Sequence, residues 1–524
     1  MPTQVSKFAQ ASAAGERLHH FHGGLKLRHN KKVSCEAPLS RVPISSRLYL
    51  PLLQHAGADA ARPLVDPGQR VLKGQRVAAF PETGSGFLHA PTSGEILAVE
   101  DRPISHPSGA EGPCLVIKTD GEDQWTTLQP IKDWENSDPV LLHRQLDTHG
   151  IVGLGGAVFP TAIKVSGAHH EQVHTLILNG AECEPYISCD EMLMREQPEK
   201  IIAGAEVLRR ATGTNRVIIA IEDRMGAVER VLSRALRKSD NNQIDVVCVT
   251  KIYPEGGERQ LIQVLTGLEV PSGGYPRDLG LLVQNVATAA AAADAIIDGK
   301  PLIERIVTVS GNGVKNPRNL VALLGTPIHE LIEQCGGYEK DVSRLVLGGP
   351  MMGYALPTDA APVIKAANCI LALTSKDIRS PQEEMPCIRC GECARVCPAV
   401  LLPQQLHWQI TNEQWDAAAE YGLGDCIQCG CCDFVCPSHI PLTDWFRFGS
   451  GMLRTLATER TASDRARMRF DARQQRLEKI KSDRQQKIAE KKHKLRESAE
   501  AKKKVAEALE RAGKSRNDQS DDSS

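Results

Sequence analysis

Between residues 130 and 300 two hydrophobic patterns alternate. Apolar runs of strand length recur in HTLILNGAE, NRVIIAIED and IDVVCVTK, and helical patterns lie between them. That alternation predicts an α/β layer fold. Residues 45–125 read instead as short strands broken by turns. Residues 301–375 contain ERIVTVSGNGVKNPRNLVALLGTPIHELIEQCGG, which reads as a strand, a turn, a second strand-like piece and a helix, and suits a small β-grasp unit. ISHPSGAEG (104–112) and PSGGYPRDLG (271–280) read as loops. Past 455 the chain is rich in good helix formers. Its apolar positions there (Leu477, Ile480, Ile488, Leu495, Val505, Leu509) are too sparse for a coiled-coil seam, so a long solvated helix is predicted. SRNDQSDDSS at the end has the composition of a disordered segment. The resulting fold class is multidomain, α/β and α+β: 1–44, an N-terminal segment; 45–125, a domain of short strands; 130–300, an α/β domain; 301–375, a β-grasp unit; 376–455, a cysteine-rich domain; and 456–524, a charged tail.

Composition changes this picture in three ways. Aromatic residues make up 4% of the 524 and the formal net charge is −1, so no base-stacking surface and no polyanionic partner such as nucleic acid is expected. The balance hides an asymmetry: residues 461–510 hold sixteen Lys and Arg against nine Asp and Glu. That stretch reads as a solvated helix face or as a basic surface for anionic lipid or a partner. No window reaches the roughly 18 uninterrupted apolar residues of a membrane helix. The most apolar run, VATAAAAADAII (286–297), is short and broken by Asp294. MPTQVSKFAQASAAGERLHH lacks the apolar core of a secretory signal. A cytoplasmic protein, able to sit peripherally on a membrane complex, is expected.

Nine of the sixteen cysteines fall within 387–436. PCIRCGECARVCP supplies Cys387, Cys390, Cys393 and Cys397; DCIQCGCCDFVCP supplies Cys426, Cys429, Cys432 and Cys436. Each run is C-x2-C-x2-C-x3-C followed by proline, the bacterial ferredoxin spacing, whose fourth cysteine ligates the other cluster in two-cluster ferredoxins. One [4Fe–4S] cluster is therefore assigned to Cys387, Cys390, Cys393 and Cys436. The other is assigned to Cys426, Cys429, Cys432 and Cys397, and Cys431 is left spare. Zinc, the alternative, takes four ligands from two CxxC pairs and has no use for two four-cysteine runs ending in proline. Cys183 and Cys189 read as a third metal site or, more simply, as two free thiols.

GLGGAVFPTAIK places Gly153, Gly155 and Gly156 ahead of Lys164. Clustered glycines let a backbone approach a phosphate closely, and a lysine adds charge. The pattern is G-x-G-G after a helix-like run, HRQLDTHGIV, so it is not a Rossmann fingerprint. Alone, Lys164 reads as a surface lysine and Glu182 and Glu184 as solvated loop carboxylates.

These stretches resemble a known family. GLGGAVFPTAIK resembles the flavin-binding loop GRGGAGFPTGLK of the FMN- and NADH-binding subunit of respiratory complex I. NGAECEP resembles its NADESEP, QNVATAAAAADAI its NNVETL segment, and VSGNGVKNPR with GTPIHELIEQCGG its soluble-ligand-binding β-grasp domain, all in the same order. VDPGQRVLKGQRVA and LHAPTSGEI resemble the halves of a biotinyl/lipoyl-type barrel. No lysine lies between Lys73 and Lys118 to carry a swinging arm, which makes that barrel a scaffold. With the ferredoxin runs and FHGGLKLRHNK near the start, residues 20–450 resemble the C subunits of Rnf-type electron-transport complexes. The resemblance implies that Gly153, Gly155, Gly156 and Lys164 hold the flavin phosphate and ring edge. It implies that Asn179 bonds the flavin, that Asn285 and Thr288 hold its phosphate and ribityl groups, and that Gly257 and Glu258 form a shorter second motif. Glu182 and Glu184 would face the nicotinamide. Leu154 and Ala181 replace the family's arginine and aspartate, departures that bear on nucleotide contacts more than on the flavin.

The implied function is a peripheral oxidoreductase subunit on the cytoplasmic face of a bacterial inner membrane. It would exchange hydride with NAD(H) at FMN and pass single electrons through two [4Fe–4S] clusters to membrane and peripheral partner subunits, which carry the ion translocation. The rival reading is a non-enzymatic iron–sulfur wiring subunit that keeps the flavin fold as scaffold. A soluble enzyme acting on an organic substrate lacks any nucleophile or general-base constellation.

Overall fold

The computed structural model describes residues 18–54, 60–80, 86–170, 173–239, 242–378 and 382–517. Strand β1 (Ser40–Arg41) precedes seven strands of a barrel: β2 (Arg47–Pro51), β3 (Arg62–Pro63), β4 (Arg70–Val71), β5 (Arg76–Ala79), β6 (Phe87–His89), β7 (Gly94–Pro103) and β8 (Glu111–Thr119). They form two antiparallel sheets, β2-β8-β7-β4 and β3-β5-β6. Gly94 has no room for a side chain: a Cβ there would stand 2.2 Å from the Lys118 carbonyl oxygen. Lys73 is tied to Asp123 at 2.6 Å.

The α/β domain holds β9 (Thr175–Gly180), β10 (Arg216–Glu222), β11 (Ile244–Val249) and β12 (Leu281–Asn285), all parallel, in the order β11-β10-β9-β12. The apolar runs are unbroken because helices cover both faces. Leu176 and Leu178 point into one core with helices Pro198–Thr212 and Val286–Ile297, while Ile177 points into the other with helix Glu258–Thr266. The alanine-rich run is thus a buried helix, and it packs close. A Cβ on Gly204 would stand 1.9 Å from the Ala289 carbonyl oxygen.

The β-grasp unit comprises β13 (Glu304–Ser310), β14 (Arg318–Leu323), β15 (Val342–Leu347), β16 (Tyr354–Leu356) and β17 (Cys369–Thr374), with helix Ile328–Gln334. Its sheet runs β1-β14-β13-β17-β15-β16, so the N-terminal segment adds an edge strand to it. Barrel and β-grasp, separated in sequence by the α/β domain, share one hydrophobic core: Leu48, Leu50, Leu115 and Ile117 join Val307, Leu320, Leu331 and Ile370.

The cysteine-rich segment forms short helices, among them Glu392–Arg395 and Cys431–Val435. A helix runs from Leu442 to Asn517, starting ahead of residue 456, and Phe446 in its first turns is buried. Residues from 450 onward form a separate unit in which the apolar positions expected to be too sparse for a seam are all exposed. Most of SRNDQSDDSS lies outside the described residues, as does the start of the N-terminal stretch read for a signal.

Candidate functional site

Strand order fixes where a ligand can bind. The chain passes from β9 to β10 to β11 in one direction, then returns across the sheet to β12 on the far side of β9. The crevice beyond the carboxyl ends of β9 and β12 is therefore a topological switch point, the usual ligand position in open α/β sheets. Asn179 is the last residue but one of β9 and Asn285 ends β12, and Gly155 of the glycine loop lies against Asn285.

The loop is held from three sides. The Leu154 N–H donates to Thr288 Oγ1 at 2.9 Å, and the Leu154 carbonyl accepts from Arg305 Nη2 at 3.0 Å. Just upstream, the Gly150 carbonyl accepts from Lys365 Nζ at 2.8 Å. Lys365 is fully buried, and desolvation pulls its pKa down to about 7. Val158 sits at φ +52°, a left-handed conformation a β-branched residue adopts only under constraint. Gly155 and Gly156 are exposed, and their N–H groups make no hydrogen bond among the described residues. A Cβ on Gly156 would meet nothing within 4 Å. Glycine there answers to its positive φ of +109° and not to side-chain packing. An open cradle of free N–H groups fits a flavin phosphate.

The remaining family positions have partners inside the protein. Lys164 Nζ bonds Glu258 Oε2 at 2.6 Å and the Val283 carbonyl at 2.7 Å, so it is no ordinary surface lysine. Asn179 Nδ2 donates to the Gly256 carbonyl at 2.8 Å, and its Oδ1 accepts from the Ala181 N–H. Asn285 caps helix Val286–Ile297 and donates to Asp190 Oδ2 at 2.6 Å. Gly257 is the N-cap of the helix that Glu258 begins. Asn179 and Asn285 thus build the crevice walls with the amide groups expected to reach the flavin.

Glu182 and Glu184 are a correction: neither is a solvated loop carboxylate, and both turn inward. Glu182 is 8% exposed; its Oε1 accepts from the Asp190 N–H at 3.0 Å and from Cys189 Sγ at 3.4 Å. Lys31, 3% exposed, donates to the Glu182 carbonyl, and its Nζ lies 3.7 Å from Oε2. Burial pushes the Glu182 carboxyl up to about 7, against the pull of Lys31. Glu184 accepts from the Met351 and Met352 N–H groups at 2.7 and 3.1 Å, and burial raises its pKa as well. Cys183 and Cys189 do not converge as a metal pair. Cys183 Sγ accepts from the Gly256 N–H, while Cys189 faces Glu182.

The cysteine runs form two hollows. Cys387, Cys390, Cys393 and Cys436 line one; Cys397, Cys426, Cys429 and Cys432 line the other, with Cys431 beside them. The two loops share a backbone: Arg389 and Gln428, Gly391 and Gly430, Val400 and His439 all adopt left-handed φ at matching positions. Four thiols around each hollow are the donor set a cubane cluster needs.

Known proteins agree with this arrangement. Residues 19–122 match the RnfC barrel sandwich hybrid domain, 146–294 the Nuo51 FMN-binding domain, 306–355 the SLBB domain and 386–441 the 4Fe-4S dicluster domain. The C subunit of the ion-translocating oxidoreductase complex of Haemophilus influenzae (strain PittEE) is 42% identical over 463 residues, which is 88% of this chain and 70% of that protein. The chain belongs to the family of C subunits of ion-translocating oxidoreductase complexes. Its relatives in Pseudomonas aeruginosa and Vibrio cholerae are 46% and 44% identical over 88% and 90% of this chain. The chain spans about three fifths of the length of those two proteins. An NAD+-reducing [NiFe]-hydrogenase superposes with a TM-score of 0.41 at 20% identity, covering 55% of this chain and 56% of its own.

Within this family frame the cofactors of the matched domains are FMN and [4Fe–4S] clusters. No helix among the described residues is long and apolar enough to cross a membrane. Sequence reasoning missed Lys31, Asp190, Arg305 and Lys365. Only Lys31 carried a signal, as the last residue of FHGGLKLRHNK.

Proposed function

We propose that this chain exchanges hydride with NAD(H) at an FMN held in the β9–β12 crevice and relays single electrons through two [4Fe–4S] clusters to partner subunits at the cytoplasmic face of a membrane, where ion translocation occurs. One observation carries the reading: a glycine cradle with free N–H groups at the switch point, in the same compact unit as two four-thiol hollows. FMN, when bound, supplies the conversion between two-electron hydride and one-electron transfer. The chain's residues do the positioning. Gly155 and Gly156 offer N–H groups to the phosphate, Thr288 and Arg305 hold the loop, and Lys164, paired with Glu258, ties its helix to the Val283 carbonyl of β12. Cys387, Cys390, Cys393 and Cys436 hold one cluster; Cys397, Cys426, Cys429 and Cys432 hold the other. The basic stretch 461–510 offers a surface for anionic lipid or a partner subunit.

The wiring reading draws on a different observation. Lys164, Asn179, Glu182 and Glu184 all have internal partners, as they would in a flavin fold kept only as scaffold. Anaerobic titration of the purified chain with NADH, read by visible absorbance and EPR, separates the two. Joint bleaching of flavin and appearance of reduced-cluster signals supports the proposal. Intact clusters without flavin, and without a response after FMN reconstitution, support wiring alone.

A further inference from the structure

The two cluster hollows are not equivalent. Both are lined from within the cysteine-rich segment and the start of the long helix, but at the first Cys387 and Cys390 are exposed, with Ile388 between them 68% exposed, whereas at the second Cys397 and Cys429 are buried. Three other parts of the chain pack against the backbone that carries the second. From the α/β domain, Tyr253 is buried and its hydroxyl donates to the Cys429 carbonyl at 2.7 Å. From the β-grasp unit, the Met351 carbonyl oxygen lies where a Cβ on Gly430 would meet it at 3.1 Å, and the Met351 N–H is one of the two that Glu184 accepts from. From the N-terminal segment, His22 Nδ1 donates to the Cys397 carbonyl at 3.0 Å, and the Gly24 N–H donates to the Val396 carbonyl at 3.0 Å. Gly23, at φ +73°, lies so close that a Cβ would stand 2.5 Å from the Val396 carbonyl carbon. The FHGG stretch thus clasps the crossing cysteine.

The same residues reach the flavin crevice. Asn179, the last residue but one of β9, donates to the Gly256 carbonyl, and the Gly256 N–H donates to Cys183 Sγ. Cys183 packs in one cluster of side chains with Tyr253, Cys429 and Cys431. Leu25 and Tyr253 exchange both backbone hydrogen bonds, at 2.7 and 2.9 Å. A continuous packed path therefore joins the crevice wall to Cys429. Among the described residues no comparable contact joins the crevice to Cys387, Cys390, Cys393 or Cys436.

We infer that Cys397, Cys426, Cys429 and Cys432 form the inner cluster site, which takes one electron at a time from the flavin side, and that Cys387, Cys390, Cys393 and Cys436 form the outer site, which hands it to the partner subunit. The inference rests on the proposed FMN and cluster content, with NADH as the donor of the electron pair. Tyr253 is a positioning residue for the inner site.

The test uses the full chain with both clusters, verified by iron and sulfide analysis. Dithionite reduces both, and a water-soluble dysprosium chelate is added to broaden the EPR signal of whichever cluster lies nearer solvent. Tyr253→Phe, which removes one hydroxyl, marks the inner cluster by shifting its signal. The expected result is that the chelate broadens one signal and Tyr253→Phe shifts the other. Cys390→Ala should then abolish the chelate-sensitive signal and leave a cluster that NADH still reduces. The order is overturned if Tyr253→Phe shifts the chelate-sensitive signal, or if Cys390→Ala leaves a cluster that dithionite reduces and NADH does not. Should NADH reduce neither cluster in the unsubstituted chain, the functional reading fails. The chelate and Tyr253→Phe pattern would still decide which site is inner.

Discussion

Replacing Lys31 by methionine isolates the energetics of the crevice. The side chain is almost completely buried, and its ammonium is the ion-pair partner of Glu182, with Arg224 acting on the same carboxyl more weakly. Methionine keeps most of the volume and removes the charge. Breaking a buried pair by deleting one partner costs about 3–5 kcal/mol, because the remaining charge is left uncompensated. Glu182 can escape part of that cost by taking a proton. Its folded pKa is already raised by burial to about 7, well above the value of an unfolded glutamate. Between those two values the folded state binds the extra proton. The contribution of this carboxyl to stability is therefore full at low pH, falls as pH rises through that window, and levels off above it. Without Lys31 the carboxyl rises further and the fall continues to higher pH, at up to about 1.4 kcal/mol per pH unit. Urea unfolding of the unsubstituted chain, Lys31→Met, Glu182→Gln and the double variant, at pH 5.5 and pH 8, measures this. Lys31→Met should be severely destabilised at pH 8 and much less so at pH 5.5, and the double variant should recover most of the loss at pH 8. A loss equal at both pH values, or a double variant no better than Lys31→Met, would refute the electrostatic account and leave Lys31 as packing alone.

Three further outcomes follow from particular contacts. Thr288→Val strands the Leu154 N–H at a cost of about 1–3 kcal/mol; faster amide exchange across 153–158 and weaker FMN retention should accompany it, with the clusters unchanged. Gly204→Ala drives a methyl into the Ala289 carbonyl and should cost roughly 1–3 kcal/mol or more, read as a lower thermal midpoint of the α/β domain. Cys431→Ala should retain the iron and sulfide of both clusters, whereas Cys432→Ala should lose those of one.

The sequence made some levels of this structure plain and hid others. The runs in β9, β10 and β11 were readable because strands covered on both faces are continuously apolar. The two cysteine runs were readable because cluster geometry dictates their spacing, and the structure brings the crossed quartets together as that spacing implied. Local chemistry could not show what distant residues would do. Lys31 looks like one more basic residue in RHNKK until the N-terminal segment is seen to pass beneath Glu182. That the amides of Asn179 and Asn285 also bond Gly256 and Asp190 could not be read from their own stretches. The common core of barrel and β-grasp joins strands separated by the whole α/β domain, a separation no local pattern reports. Left-handed φ at Val158, Arg389 and Gln428 is likewise imposed by the surrounding fold and not by residue preference.

The central claim is that the glycine cradle holds a working flavin wired to the two thiol quartets. Anaerobic addition of NADH to the purified chain, with absorbance and EPR recorded together, tests it most directly. The account expects the flavin band to bleach and reduced [4Fe–4S] signals to appear in the same titration. Clusters that dithionite reduces but NADH does not, in a chain that carries FMN, would contradict it.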